Sequence, residues 1–132
     1  MKLLVDENLP PALARALQAV FEGEHHIEHI VAKFGRHGVT DQEWIELLGA
    51  EGGWNVLSGD LNIAKKAPSR ALLFRAKLVG FFPVRTVMQM PLHKKVARIL
   101  LVWDSMVKQV SVAERGAFEI TERGEKFRQI AN

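Results

Sequence analysis

The sequence predicts a single α/β domain, with a mostly parallel central sheet of about four to five strands and helices on both faces. Short apolar runs alternate with segments whose apolar residues recur at helical spacing, which is typical of parallel strands joined by crossover helices. The chain has 132 residues, of which 48% are hydrophobic and 25% charged. This length and balance suit one globular domain with a sizeable core. Because no linker or internal repeat interrupts the pattern, we predict one domain over residues 1–132.

The first third of the chain contains the first strand, the first helix and the second strand. The apolar run Leu3 to Val5 predicts the first strand. Pro10-Pro11 then opens a helix, because proline fits the first helical turn. Three further apolar residues predict the second strand; they are Ile27, Ile30 and Val31.

The middle of the chain repeats this alternation. Thr40 followed by Glu43 has the form of a capping box and predicts a helix from Asp41 to about Ala50. The next strand, Trp54 to Leu57, ends at Ser58-Gly59-Asp60.

The second half predicts two more helices and two more strands. Pro68 starts a helix, Leu78 to Val84 is strand-like, and Pro91 opens the longest helix. Gly116 leads into a short strand, Ala117 to Ile120. The charged segment 122–132 contains no element that we can predict, and we interpret it as a flexible or partner-binding tail.

Composition excludes several classes of site. The chain has no cysteine, which excludes disulfides, thiolate metal sites and cysteine nucleophiles. No apolar run approaches the length of a membrane span or a signal peptide. We therefore expect a soluble, cytoplasmic protein without a membrane partner.

The net charge of +3 conceals an asymmetry between the two halves of the chain. Residues 1–60 contain 4 Lys/Arg and 10 Asp/Glu, whereas residues 61–132 contain 14 and 5. An acidic part that holds cations beside a basic part that holds phosphates would explain the division, as would sequence bias on solvated faces.

Three aspartates stand where the predicted elements end or begin. Asp6 follows the first strand, Asp60 follows the third, and Asp41 opens the helix before the third strand. Ligands of open α/β sheets bind beyond the carboxyl ends of the strands, and three carboxylates there would repel one another without a cation. Mg²⁺ prefers such hard oxygen ligands. The alternative is that each aspartate only caps a helix or a turn.

Helix geometry distinguishes Asp41 from Glu43. At roughly 100° per residue, Asp41 lies within about 40° of Ile45 and Leu48, whereas Glu43 lies about 160° from Ile45. We therefore expect Asp41 to point toward the sheet and Glu43 to point away from it.

Three stretches resemble PIN-like nuclease domains, in particular those of VapC-type toxins from toxin–antitoxin pairs. They are Leu3-Leu4-Val5-Asp6-Glu7-Asn8-Leu9-Pro10, Gly38-Val39-Thr40-Asp41-Gln42-Glu43-Trp44-Ile45 and Val56-Leu57-Ser58-Gly59-Asp60. They occur in the family's order and span about the first 65 residues. The resemblance implies a parallel α/β fold and cleavage of single-stranded RNA with Mg²⁺ or Mn²⁺.

The resemblance also assigns roles to residues of this sequence. It implies that Asp6, Asp41 and Asp60 are the catalytic metal ligands, with Glu43 as a less favoured ligand than Asp41. Asn62 stands where many members have a fourth acidic residue, which leaves the presence of a second metal open. Two further residues are expected to support the site, Asn8 and the hydroxyl residue Ser58.

The resemblance and the charge pattern together suggest partners. Lys65, Lys66 and Arg70 follow Asp60 closely and are predicted to hold the RNA backbone, although an ordinary solvated face is an equal alternative. A second basic group, formed by Lys94, Lys95 and Arg98, is a weaker candidate for phosphate binding. A toxin would also have a protein antitoxin, and homodimers are common among such proteins.

Other interpretations of the sequence predict different behaviour. Receiver-type signalling domains also place aspartates after strands, but they carry a lysine after a late strand where this chain has Arg85. A PIN-like module that binds without catalysis is a further alternative. His25 and His29 would lie about 13 Å apart in a strand, too far to share a zinc ion, whereas in a helix they could share one.

Overall fold

In the computed structural model, which describes residues 1–131, the elements alternate between strands and helices. The strands are β1 (Lys2–Val5), β2 (His26–His29), β3 (Trp54–Leu57), β4 (Val79–Pro83), β5 (Gly116–Ile120) and β6 (Arg128–Ala131). The helices are α1 (Pro11–Val20), α2 (Ile30–Phe34), α3 (Asp41–Glu51), α4 (Asn62–Lys65), α5 (Ala67–Arg75), α6 (Arg85–Met88) and α7 (Leu92–Val112).

The strands form one sheet in the order β2-β1-β3-β4-β5-β6. The first five are parallel, and β6 is antiparallel to β5. In this register Leu3 lies opposite Ile27 on one side and Asn55 on the other. The predicted α/β class and mostly parallel sheet are confirmed, with six strands among the described residues because part of the unassigned tail forms β6.

The two faces of the sheet carry separate halves of the hydrophobic core. Leu3 and Val5 point to one face and pack with residues of α1 and α7, whereas Leu4 points to the other and packs with residues of α3, α4 and α5. This division follows from the alternation of side chains along a strand. The faces bury Trp103 and Trp44, respectively, and Trp54 is 5% exposed. The tryptophans are therefore core residues.

Local sequence signals explain where the helices begin. Thr40 Oγ1 accepts a hydrogen bond from Glu43 N at 3.2 Å, and Glu43 Oε2 accepts one from Thr40 N at 3.3 Å. The capping box predicted for α3 is thus formed. Pro11 and Pro68 lie in the first turns of α1 and α5, respectively. Backbone N–H groups in a first helical turn have no acceptor within the helix, so proline, which lacks this group, costs no hydrogen bond there.

The prediction for Ile30 and Val31 was wrong. These residues belong to α2 rather than to β2. The reason is the N-cap of α2. His29 Nδ1 accepts a hydrogen bond from Val31 N at 3.2 Å, and this bond begins the helix directly after His29. Gly35, with φ of 71°, ends it after five residues.

The chain order places a topological switch point at the carboxyl ends of β1 and β3. From β1 the chain moves to β2 on one side, and the next strand, β3, pairs with β1 on the other. The helices on either side of this point cover opposite faces, and the carboxyl ends of the strands at such a switch point are where open α/β sheets commonly bind ligands. No helix among residues 1–131 has the length and apolar character needed to cross a membrane.

Candidate functional site

Asp6 lies at this switch point, directly after β1. Its backbone N–H donates to Leu57 O at 2.9 Å, which continues the pairing of β1 with β3. The side chain is buried, with 8% exposure. Its Oδ2 accepts a hydrogen bond from Ser58 Oγ at 2.7 Å, and its Oδ1 accepts one from Glu7 N at 2.7 Å. The carboxylate is therefore held in one orientation by two donors.

The environment of Asp6 opposes its negative charge. Burial, the largest effect, raises the pKa of Asp6 above its usual value. The hydrogen bonds from Ser58 and from the N–H of Glu7 act in the opposite direction, and the negative charges of Asp41 and Asp60 raise the pKa further. Three carboxylates thus interact electrostatically here, and a cation bound among them would relieve this cost.

A hydrogen-bonded group joins the loops that follow β1 and β3. Ser58 is fully buried, and its hydroxyl donates to Asp6 while it accepts from Asp60 N at 3.1 Å and Asn8 Nδ2 at 3.3 Å. The other end of the Asn8 amide, Oδ1, accepts from Gly59 N at 2.8 Å. Asn8 and Ser58, the two predicted supporting residues, therefore hold both strand ends together.

Gly59 fits this loop because it has no side chain. A Cβ atom there would overlap the terminal methyl group of Met88 and lie 2.8 Å from its sulfur atom. Met88 belongs to α6, which begins two residues after β4. The segment that follows β4 therefore also borders the site, beside the loops that follow β1 and β3.

Asp41 and Glu43 point in the directions that helix geometry predicted. Asp41 is half-buried at the start of α3, and its Oδ1 accepts a hydrogen bond from the indole N–H of the fully buried Trp44 at 3.1 Å. Glu43 is exposed and pairs with Arg36 Nη2 at 2.7 Å. The hydrogen bond from Arg36 lowers the pKa of Glu43. Glu43 thus serves the helix cap and this ion pair.

Asp60 and Asn62 form a short turn at the start of α4. Asp60 is half-buried, and its Oδ1 accepts a hydrogen bond from Asn62 N at 3.0 Å. The side chain of Asn62 is exposed. Asn62 contributes only its backbone N–H to this turn. Its side chain is a neutral amide at the position where the resemblance led us to expect a fourth acidic residue.

Asp6, Asp41 and Asp60 interact electrostatically, but the described part of the chain does not gather them into one metal-binding cluster. Within residues 1–131, no three histidine, cysteine or acidic side chains approach closely enough to hold a metal ion together. Mg²⁺ commonly uses one or two carboxylates directly and retains several waters. Hard oxygen is the type of donor that Mg²⁺ and Mn²⁺ prefer.

The basic residues predicted to bind RNA lie directly after Asp60. Lys65 and Lys66 are exposed at the end of α4, and Arg70 is half-exposed in α5. Their positions leave the two lysines open to a large anionic ligand.

The second basic group does not form as the sequence suggested. Lys94 is exposed and Lys95 half-exposed, but Arg98 is buried. Arg98 Nε donates to Thr121 O at 2.8 Å, and its Nη2 donates to Gly124 O. The guanidinium thus secures the loop between β5 and β6 instead of facing a phosphate.

The histidines do not form a zinc site. Residues 26–29 form strand β2 rather than a helix. His25 and His29 therefore lack the helical i, i+4 spacing that would let them bind one ion. His29 is buried, and its Nε2 donates to Leu9 O at 2.7 Å. His25 Nδ1 accepts a hydrogen bond from the α-ammonium group of Met1 at 2.8 Å. His29 therefore fastens the loop beyond Asp6 to β2, a role that sequence spacing did not indicate.

Two other residues near the site had no assigned role from the sequence. Glu7 Oε1 accepts hydrogen bonds from His37 Nδ1 at 3.0 Å and Gly38 N at 3.1 Å. Glu7 occurs in the motif after β1, but its partner is 30 residues away in a loop. Their pairing could be found only from the fold.

Comparison with known proteins agrees with this architecture. Residues 1–84 match the family model described as a PIN-like domain. The chain belongs to the PIN-like domain family. The matched residues run from β1 to the end of β4 and include all three aspartates. No curated protein and no solved structure matches the chain in the same comparisons.

Proposed function

We propose that this protein is a Mg²⁺- or Mn²⁺-dependent endoribonuclease that hydrolyses phosphodiester bonds of single-stranded RNA. The observation that carries the proposal is the buried carboxylate of Asp6, whose charge is opposed both by burial and by Asp41 and Asp60. Membership in the PIN-like family supports nuclease chemistry at this position.

In this mechanism the three aspartates would bind the metal, and neighbouring residues orient the aspartate side chains through hydrogen bonds. The bound metal would polarise a phosphoryl oxygen and supply a hydroxide nucleophile from water. Ser58 and the backbone of Glu7 orient the Asp6 carboxylate, and the indole of Trp44 orients Asp41. Asn8 joins the two strand ends, so that Asp6 and Asp60 keep a constant separation.

The substrate would be held by its backbone charge. Lys65 and Lys66 are exposed five and six residues after Asp60, and Arg70 follows on α5. Contacts from such groups to phosphates position a nucleic acid without reading its sequence. Affinity should therefore fall as the salt concentration rises.

A toxin role with a protein antitoxin, and homodimerisation, are the finer parts of this proposal. They rest on the resemblance to VapC-type toxins. A groove of about 1260 Å³ between α1 and the outer strand β2 offers space for a protein segment. Co-expression with candidate neighbouring genes, followed by tests of growth rescue and of complex formation, would examine the toxin role independently of the nuclease role.

The nuclease proposal is tested with purified protein and mixed single-stranded RNA in the presence of Mg²⁺, Mn²⁺ or EDTA. Asp6→Asn and Asp60→Asn should abolish cleavage. Asp104→Asn, which changes an exposed aspartate on α7, is the matched control and should retain it. Metal-dependent cleavage that requires Asp6 and Asp60 but not Asp104 is the expected result. Cleavage that survives both site variants would contradict the proposal.

The competing function is RNA binding without cleavage. It would be favoured if folded wild-type protein bound RNA but cut none of it with either metal. Binding measured by fluorescence anisotropy, together with Lys65→Ala and Lys66→Ala variants, separates this outcome from the complete absence of RNA recognition.

A further inference from the structure

A carboxylate–histidine pair lies beside the candidate site and has no role in the mechanism so far. Glu7 directly follows Asp6, and its N–H donates to Asp6 Oδ1 at 2.7 Å. Its own carboxylate accepts hydrogen bonds from His37 Nδ1 and from Gly38 N. The imidazole is therefore joined to the Asp6 segment through a single residue.

The loop that carries His37 is fastened at several points. Gly35 and Gly38 each have φ of 71°, a conformation that favours glycine and turns the chain on both sides of His37. Arg36 pairs with Glu43 at 2.7 Å, which ties the loop to the first turn of α3. His37 thus stands between the segment after β1 and the helix that begins with Asp41.

The two nitrogens of this ring have different surroundings. Nδ1 donates to Glu7, which sets the orientation of the imidazole. The side chain is 80% exposed, and Nε2 has no hydrogen-bond partner among the described residues. Nε2 is therefore open to solvent, where it is free to contact a substrate bound beside Glu7.

We propose, on the basis of the nuclease function above, that His37 is the general acid that protonates the leaving oxygen of the RNA. Water adds to phosphorus, the bond between phosphorus and O3′ breaks, and O3′ takes the proton from Nε2 of the protonated ring. The products are a 5′-phosphate and a 3′-hydroxyl. The proton lost by the attacking water goes to solvent, which later reprotonates Nε2.

This role suits the chemistry of the reaction. An alkoxide is a poor leaving group, and a well-placed general acid commonly accelerates such a step by about 10²–10⁴-fold. Glu7 is then a positioning residue that acts through His37. Because an exposed ion pair contributes little to folding, the loss of His37 should leave the protein folded.

The decisive experiment compares two RNA substrates, one natural and one in which sulfur replaces the bridging O3′ at the cleaved bond. A thiolate leaves without protonation, so a missing general acid matters only for the oxygen substrate. His37→Ala should slow cleavage of the oxygen substrate by about 10²-fold and leave cleavage of the sulfur substrate nearly unchanged. RNA affinity in EDTA, measured by anisotropy, should also be unchanged.

The chain provides a matched control in a second exposed pair of the same chemistry. His26 Nε2 lies 3.0 Å from Glu28 Oε2 on β2, and His26 pairs in register with Lys2 at the amino end of the parallel strands. His26→Ala should cut both substrates at the wild-type rate. Glu7→Gln should slow only the oxygen substrate, and by less than His37→Ala, because the ring remains present.

The other outcomes overturn the proposal in distinguishable ways. If His37→Ala slows both substrates equally, His37 acts in binding or structure rather than as an acid. If it slows neither, His37 has no part in the reaction. If the wild-type protein cleaves neither substrate with Mg²⁺ or Mn²⁺, the nuclease function itself fails and the role of His37 fails with it.

Discussion

Replacement of Ser58 by alanine tests the central hydrogen-bond group of the site. The buried hydroxyl donates to Asp6 and accepts from Asp60 N and Asn8 Nδ2. Hydrogen bonds to charged groups contribute about 1.5–3 kcal/mol and neutral ones about 0.5–1.5 kcal/mol. Because Asn8 is exposed and water can replace part of the loss, we expect Ser58→Ala to lower the free energy of unfolding by about 3 kcal/mol near pH 8.

The same variant should show a characteristic dependence on pH. The bond from Ser58 lowers the pKa of Asp6, so it stabilises the folded protein when the carboxylate is ionised. That stabilisation is lost as the pH falls and Asp6 becomes protonated, since a neutral acid accepts a weaker bond. The difference between variant and wild type should therefore shrink toward pH 4.

Urea denaturation at pH 8 and pH 4, in EDTA, measures both effects. Ser111→Ala is the control, because its hydroxyl bonds only to Lys108 O within α7 and is exposed. It should change stability by less than about 0.5 kcal/mol. A Ser58→Ala protein as stable as this control at pH 8 would refute the arrangement around Asp6.

Three further predictions concern other features of the fold. The stability of Asp6→Asn relative to the wild type should increase between pH 4 and pH 7 in EDTA, because burial raises the pKa of Asp6 in the folded state. The wild type alone therefore loses stability as the pH rises above the pKa of the unfolded chain, about 3.9, and urea titrations that show the same difference at both pH values would contradict this. Gln18→Leu should cost about 1–3 kcal/mol and increase self-association relative to the wild type in sedimentation experiments, because the Gln18 amide accepts from Ile27 N at 2.7 Å and covers the free edge of β2; a variant that is fully stable and associates no more than the wild type would argue against this. Gly59→Ala should lower stability by about 1 kcal/mol or less, because the atoms that its Cβ would meet are the flexible end of the Met88 side chain, which can move aside; a loss above about 3 kcal/mol in a thermal melt would show that the loop after β3 cannot accept a side chain.

The local features of this protein follow from its sequence. The strands β1 and β3 are short, mostly apolar runs, and the spacing of Thr40 and Glu43 predicts the capping box of α3. Helix phase alone placed Asp41 toward the sheet and Glu43 toward solvent, as the structure has them. These features depend on residues within about one helical turn of one another, so residue types and their spacing are sufficient to predict them.

The contacts that build the site were decided by the tertiary structure. Ser58 meets Asp6 across 52 residues, and Glu7 meets His37 across 30. Such pairs depend on strand order and on how loops cross the sheet, which apolar periodicity does not encode. The same reason explains why β6 was not predicted: its exposed Arg128 and Gln129 show no strand pattern, and pairing with β5 defines the strand. The sequence by itself indicated the candidate site residues and the ends of the elements at which they stand, whereas the packing of distant segments decided which of them meet.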